Sequence, residues 1–311
     1  MQYLDFERTI KEVDEKLARL ATGEKAVSEK NKLEIKRLTS KRSRVIKQAY
    51  EKLTPWQKAQ VARHESRPHA VDYIHFIFDD FELLCGDRLN GEDAAIVGGL
   101  AKFNGRTVMV IGTEKGHDID MRLKHNFGMA RPEGYRKAIR LMKLAEQYGV
   151  PVITLVDTAG AFPGVEAEAH GQGQAIAFCI ETCLNLKVPV ISCVIGEGGS
   201  GGALALASGN VVLMLEHAIY SVISPEGCAS ILWKDFKYAQ KATEILHLTA
   251  HDMLKLKVVE EVIPEPLGGA HRFTEETMRS VAQVIEKYLA QLIKQSPEEL
   301  VESRHKRFLS I

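Results

Sequence analysis

The stretch Ile195-Gly196-Glu197-Gly198-Gly199-Ser200-Gly201-Gly202-Ala203-Leu204-Ala205-Leu206-Ala207-Ser208 decides how this chain is read. The run ahead of it, Val188-Pro189-Val190-Ile191-Ser192-Cys193-Val194, is apolar and β-branched, the composition of a buried strand. Behind the glycines, a run of Ala and Leu with no polar face predicts a fully buried helix. A strand that enters a helix through this many glycines leaves bare backbone N–H groups at the helix N-terminus, where the dipole favours negative charge. Such an element suits an oxyanion or a phosphate.

Three patterns compete for these residues. Gly196 to Gly201 fit the G-x-G-x-x-G dinucleotide fingerprint, and Glu216 follows roughly twenty residues on. Against it stand the motif's position late in the chain and a helix cut short by Gly209-Asn210 before the strand Val211 to Leu215. Gly198-Gly199-Ser200-Gly201-Gly202 has the G-x-S-x-G form of a nucleophile elbow, for which the later His and Asp residues leave a base open. Gly196 and Gly201 have P-loop spacing, but Gly202 and Ala203 stand where Lys and Ser/Thr are required, so that reading fails. The bland alternative is that the glycines only permit close strand–helix packing.

Composition narrows the classes. Among 311 residues, 41 Lys and Arg balance 41 Asp and Glu, which argues against a nucleic-acid or membrane-surface partner. No apolar run approaches a membrane span, and the N-terminal Met1-Gln2-Tyr3-Leu4-Asp5 lacks a signal-peptide pattern. Cys85, Cys179, Cys183, Cys193 and Cys228 are scattered, with no second pair or His partner to complete a zinc site. Buried free thiols in a reducing, cytoplasmic compartment are expected.

Along the chain, Ile10, Val13, Leu17 and Leu20 mark one amphipathic helix. Gly23 and its polar neighbours break it. Leu33, Leu38, Val45, Ala49 and Leu53 mark a second, so residues 1–55 read as a helical hairpin and 56–311 as the main domain. Residues 56–90 read as a transition containing a loop at 63–68. Asn104-Gly105 joins two β-like runs as a hairpin, and Pro132 opens a helix that ends near Gly149. The strand Val150 to Asp157 runs into Thr158-Ala159-Gly160-Ala161-Phe162-Pro163-Gly164, followed by one long helix over 167–186. Ser224-Pro225 starts another helix, Val258 to Ile263 make a last strand, and a helical tail begins at Thr274. The alternation of strand, glycine turn and helix predicts an α/β fold with ligand sites at the strand C-termini, two glycine turns (157–164 and 196–202) lying side by side.

Several long strings carry a resemblance. Gly196 to Ala205, Tyr220-Ser221-Val222-Ile223-Ser224-Pro225-Glu226-Gly227-Cys228-Ala229, Ile263-Pro264-Glu265-Pro266-Leu267-Gly268-Gly269-Ala270-His271-Arg272, Asn126-Phe127-Gly128-Met129, Pro132-Glu133-Gly134-Tyr135-Arg136-Lys137-Ala138 and Ala95-Ile96-Val97-Gly98-Gly99 resemble the carboxyltransferase alpha subunit of bacterial acetyl-CoA carboxylase. The resemblance implies a ClpP/crotonase-like fold of repeated ββα units behind the N-terminal helical hairpin. It implies an α2β2 complex whose beta subunit carries a zinc ribbon and most of the coenzyme A site, with no metal in this chain. The implied reaction moves a carboxyl group from carboxybiotin, on the biotin carboxyl carrier protein, to acetyl-CoA, giving malonyl-CoA for fatty-acid synthesis.

That chemistry needs preorganised donors, because negative charge builds on the biotin ureido oxygen and on a thioester enolate. By resemblance the alpha subunit supplies the hole for biotin. The backbone N–H groups of Gly201 and Gly202 are the expected donors, with Gly198 and Gly199 permitting close approach and Gly160, Ala161 and Gly164 lining the same cavity. Ser200 is then a neighbour and not a nucleophile. Ala159 stands where the family has Pro, and His117 and Asp118 where a more basic loop is expected. A complete acyl-CoA hydratase or isomerase of the same superfamily is an alternative that would need a carboxylate on the helix after the glycines. A non-catalytic structural subunit is another.

Overall fold

The computed structural model describes residues 2–21 and 29–311. The expected helix break at Gly23 lies outside the described residues. Helices α1 (Arg8–Ala21) and α2 (Glu29–Tyr50) pack on each other as the predicted hairpin, burying Ile10, Val13, Leu38 and Ile46. Leu33, expected in the apolar stripe, is 70 % exposed. Residues 56–90 are more ordered than a transition. They form α3 (Pro55–Ala62), α4 (Ala70–Ile77) and the edge strand β1 (Asp79–Leu83). Thr54 caps α3 by accepting from the Gln57 N–H at 3.2 Å, with Pro55 at the first helical position.

The sheet begins with the hairpin β2 (Ile96–Phe103) and β3 (Arg106–Thr113), antiparallel as predicted. Asn104 (φ 50°) and Gly105 (φ 77°) both take the left-handed conformation that a two-residue hairpin turn requires. After α5 (Ile119–Lys124) and α6 (Pro132–Gln147) come β4 (Val152–Thr158), α7 (Val165–Ala169), α8 (Gln172–Asn185) and β5 (Val190–Gly199). The long helix expected over 167–186 is therefore broken. Gly171, at φ 81°, caps α8 in a conformation no helix interior allows.

The short helix α9 (Ser200–Leu204) precedes β6 (Val211–Leu215), β7 (Ile219–Ser221), α10 (Pro225–Trp233), α11 (Ala239–Leu246), α12 (Ala250–Lys255) and β8 (Glu261–Ile263). Helices α13 (Thr274–Leu292) and α14 (Pro297–Leu309) close the chain. Strand order is β1-β2-β3-β4-β5-β6-β8, parallel from β3 onward, with β7 pairing the far end of β5. This is the α/β sheet with crossovers that the alternation predicts.

Two glycines show how the sheet is covered. Gly98 pairs with Ile111 and Gly112 with Val97, so the two glycines point to opposite faces. Leu141 of α6 stands over Gly98, and Ala70 of α4 over Gly112. Helices thus lie on both faces, and β4 and β5, buried on each side, read as largely apolar runs, interrupted by Thr154 and Ser192, up to the Asp157 and Glu197 near their ends.

Candidate functional site

The C-terminal ends of β4 and β5 meet side by side, with Thr158 opposite Gly198. The glycines that were expected to form a turn are largely strand. β5 continues through Gly196 and Gly198 to Gly199 before α9 begins. The reason is what stands beside them. A methyl on Gly196 would collide with the Asp157 carboxylate, one on Gly199 with the Ala159 carbonyl, and one on Gly198 would lie 2.7 Å from the Tyr220 ring. Close packing accounts for these three.

Gly201 is different, since a methyl there would meet only Ile176, at 3.4 Å. It borders an apolar cavity of about 320 Å³ with Ser200, Leu204, Tyr220, Val222 and Met253. A methyl on Gly202 would stand 2.8 Å from Ala161 N, so α9 lies directly against the 159–161 turn. Gly160 has φ 148°, and its outward side faces the Gly199 carbonyl, about 4.0 Å from where a Cβ would lie. Of the expected site residues, the structure brings Gly160, Ala161, Gly199 and Gly202 together. Gly198 and Gly201 adjoin this contact. Gly164 stands apart at the start of α7, with the ring of Phe162 as its nearest neighbour.

The ends of the two strands are locked by charge. Lys115 Nζ lies 2.7 Å from Asp157 Oδ1 and 2.7 Å from Glu197 Oε2. Arg63 Nε donates to Glu197 Oε1 at 2.6 Å, and Arg63 Nη1 to Glu226 Oε1 at 2.7 Å. Asp157 Oδ1 also accepts the Glu197 N–H at 2.8 Å, stitching β4 to β5 just before the glycines. Burial alone would raise the Glu197 pKa, but Lys115 and Arg63 outweigh it and bring it down to about 2. Glu197 is therefore a fixed carboxylate and a poor proton shuttle at neutral pH. Sequence reading passed over Arg63, Lys115 and Glu197. The available signal was a carboxylate near the end of each of two buried strands, since such charges need partners.

The competing motifs can now be weighed. The Asp157 carboxylate fills the space beside Gly196, a negative charge that disfavours a phosphate there, and Glu216 accepts the Glu265 N–H at 3.1 Å. Ser200 has φ 52°, the strained geometry of an elbow, yet no described residue hydrogen-bonds its hydroxyl, and so no base is in place. Helix α9, Ser-Gly-Gly-Ala-Leu, carries no carboxylate for hydratase chemistry.

Among the described residues, one group has carboxylate and imidazole atoms close enough to share a metal: Glu7, His64 and His271. Its donor set is already spent. Arg272 Nη2 and the Tyr50 hydroxyl donate to Glu7 Oε1 at 2.7 and 2.6 Å, and His64 Nδ1 accepts the Ser66 N–H at 3.1 Å. These contacts make it a clasp between the hairpin and the body.

Comparison with known proteins follows the same line. Residues 3–311 match the family described as acetyl co-enzyme A carboxylase carboxyltransferase-like. The chain is 54 % identical over 310 residues to the acetyl-coenzyme A carboxylase carboxyl transferase subunit alpha of Gluconacetobacter diazotrophicus, covering 100 % of this chain and 98 % of that one. It is 53 % identical to the same subunit of Agrobacterium fabrum over 312 residues, covering 99 % and 98 %. Among solved structures, the transcarboxylase 12S core is similar with a TM-score of 0.58 at 21 % identity, over 72 % of this chain and 42 % of that one. The beta subunit of Pseudomonas aeruginosa geranyl-CoA carboxylase has a TM-score of 0.58 at 18 % identity, over 81 % and 46 %. These structures show the fold alone, the crotonase-like fold of carboxyltransferases. Matched nearly end to end by relatives of one kind, this chain belongs to the family of acetyl-CoA carboxylase carboxyltransferase alpha subunits.

Proposed function

We propose that this chain is the alpha half of a two-subunit carboxyltransferase that moves the carboxyl group of carboxybiotin, carried on a biotin carboxyl carrier protein, to the methyl carbon of acetyl-CoA. The product is malonyl-CoA. One observation carries the assignment of the site: the 159–161 turn and the Gly199–Gly202 segment converge, and the N–H groups of Ala161, Gly201 and Gly202 lack acceptors there. Among the described residues, the Ala161 N–H donates to nothing. Those of Gly201 and Gly202 belong to the first turn of α9, where no intrahelical acceptor exists. Donors held this way cost nothing to reorganise when negative charge develops on a bound oxygen.

In this reading the carrier's biotin lies against Gly201 and Gly202, with Gly198, Gly199, Gly160, Ala161 and Gly164 shaping the pocket. The N–H donors stabilise the charge that develops on the ureido oxygen as the carboxyl group leaves. The released ring nitrogen takes the proton from the acetyl methyl. Lys115, Arg63, Asp157 and Glu197 act at a distance, holding the two strand ends in register.

A beta subunit, in an α2β2 assembly, supplies the zinc ribbon and most of the coenzyme A site. Two observations support an incomplete site. The chain aligns with only 42 % and 46 % of the two carboxylase chains it resembles in fold. Val222, which lines the apolar cavity, is left 76 % exposed, and Ile231 and Phe236 in the following segment are 62 % and 72 % exposed, apolar surface that a partner could cover. The five free cysteines fit a reducing cytoplasm, and no helix among the described residues is long and apolar enough to cross a membrane.

The test is malonyl-CoA-dependent carboxylation of free biotin by the complex co-purified through this chain. Activity in the complex and none in the stripped chain supports a shared-site carboxyltransferase. A complex containing the zinc-bearing partner but lacking activity would contradict it.

A further inference from the structure

Tyr135 is the fourth residue of α6 and is only 1 % exposed, its ring packed in the core between helix and sheet. Its hydroxyl emerges where the two candidate segments meet. The point at which a methyl on Gly202 would stand is 2.8 Å from Tyr135 Oη and 2.8 Å from Ala161 N. No described residue hydrogen-bonds to this hydroxyl. The hydroxyl of Tyr73 is also without a partner but is sealed from solvent, whereas that of Tyr135 is not.

A phenylalanine ring would fill the same space. A phenol whose ring is packed in the core, but whose hydroxyl reaches solvent at this junction without a protein partner, is free to donate to a ligand that displaces water there. Burial pushes the Tyr135 pKa well above its usual value, with Cys179 and Asp93 adding to the effect, so the group stays a neutral donor. Beside it the Ala161 N–H is also without an acceptor. The phenol and this N–H thus add two donors beside those of Gly201 and Gly202.

We propose that Tyr135 is a catalytic residue whose hydroxyl, with the Ala161 N–H, donates to the oxygen of the bound carboxyl donor on which negative charge builds. This rests on the function proposed above and adds to it a side chain, in a site otherwise made of backbone. A methyl at position 202 would crowd both donors at once, and the Gly160 carbonyl carbon with them.

The experiment uses the reconstituted complex with Tyr135→Phe and, separately, 3,5-difluorotyrosine installed at position 135. Malonyl-CoA-dependent carboxylation of free biotin gives kcat and both KM values, and thermal unfolding reports on packing. Loss of a donor used only in the transition state lowers kcat by roughly 10- to 100-fold and leaves both KM values within about twofold. Tm does not fall, because no intramolecular hydrogen bond is lost. The difluorinated residue, a stronger donor still protonated in this burial, restores kcat.

Wild-type kcat in Tyr135→Phe overturns the proposal. So does a slowed Phe variant that the fluorinated residue fails to rescue, since packing alone would then explain the loss. A Gly201→Val control separates the two readings. If that variant is inactive while Tyr135→Phe is unimpaired, only the role of Tyr135 fails; if both are unimpaired, the site itself has been misassigned.

Discussion

Replacing Lys115 by Met removes the one cation shared by the carboxylates at the ends of β4 and β5. Lys115 is 15 % exposed at its side chain, Asp157 2 % and Glu197 10 %, so neither water nor salt can stand in for it. Removing one partner of a buried pair costs about 3–5 kcal/mol. Glu197 keeps Arg63 at 2.6 Å, and Asp157 keeps the Glu197 N–H at 2.8 Å. The lower end therefore applies, about 3 kcal/mol. With a urea m-value of about 3 kcal/mol/M, the unfolding midpoint moves down by about 1 M.

The acid limb gives an independent check. The folded pKa of Glu197 is depressed from 4.5 to about 2, so its contribution is present above 4.5 and lost as pH falls towards 2. In Lys115→Met that pH dependence weakens, because the largest attraction holding Glu197 ionised has gone. Urea titrations of both proteins at pH 7, 5 and 3 measure both effects. An unchanged midpoint at pH 7 would refute the view that this ion network carries the strand ends.

Other expectations follow from the same geometry. His64 and His271 are stacked at 4.0 Å in the hairpin clasp, and burial lowers both pKa values below 6.5. A depressed imidazole pKa means stability that is complete above 6.5 and lost as pH falls below it, so Tm should drop between pH 7 and 5. A flat Tm over that range would contradict it. Arg304 is buried and meets no carboxylate. It donates to the carbonyls of Cys183, Leu186 and Val188 at 2.9, 2.7 and 3.0 Å and to Asn210 Oδ1 at 2.6 Å, closing the C-terminal end of α8. Arg304→Lys cannot reproduce that fork and should lose about 2–4 kcal/mol in chemical denaturation, from several carbonyls left without donors. A loss under about 0.5 kcal/mol would show that water replaces the guanidinium freely.

Local rules made part of this molecule readable. Asn104-Gly105 demanded a hairpin, Pro132 and Ser224-Pro225 marked helix starts, and the apolar runs ending at Asp157 and Val194 could only be buried parallel strands. Helices α3 and α4 were missed because each is eight residues long, too short for periodicity to stand out. The break at Gly171 was missed because glycine is tolerated within a helical pattern. At the site, the glycine string located the loop but misjudged its geometry. Glycine is needed both where a chain turns and where another group presses on it, and only the neighbours decide between the two. For Gly196 and Gly199 those neighbours are Asp157 and the Ala159 carbonyl, contacts set by strand pairing across some forty residues of sequence. The cluster of Arg63, Lys115, Asp157 and Glu197 was hidden for the same reason.

The central claim is that backbone donors around Gly201 and Gly202 stabilise charge on the carboxyl donor, and that Ser200 does no covalent work. Its most direct test is malonyl-CoA-dependent biotin carboxylation by intact complexes carrying Gly201→Val or Ser200→Ala. The space beside Gly201 lets the fold accept a side chain, with Ile176 its nearest neighbour at 3.4 Å, while the cavity is filled where the ligand would lie. The account predicts an assembled but inactive Gly201→Val complex, with kcat down by at least roughly 100-fold, and a Ser200→Ala complex that keeps most of its activity. Near-normal turnover in the valine variant, or complete loss in the alanine variant, would contradict it.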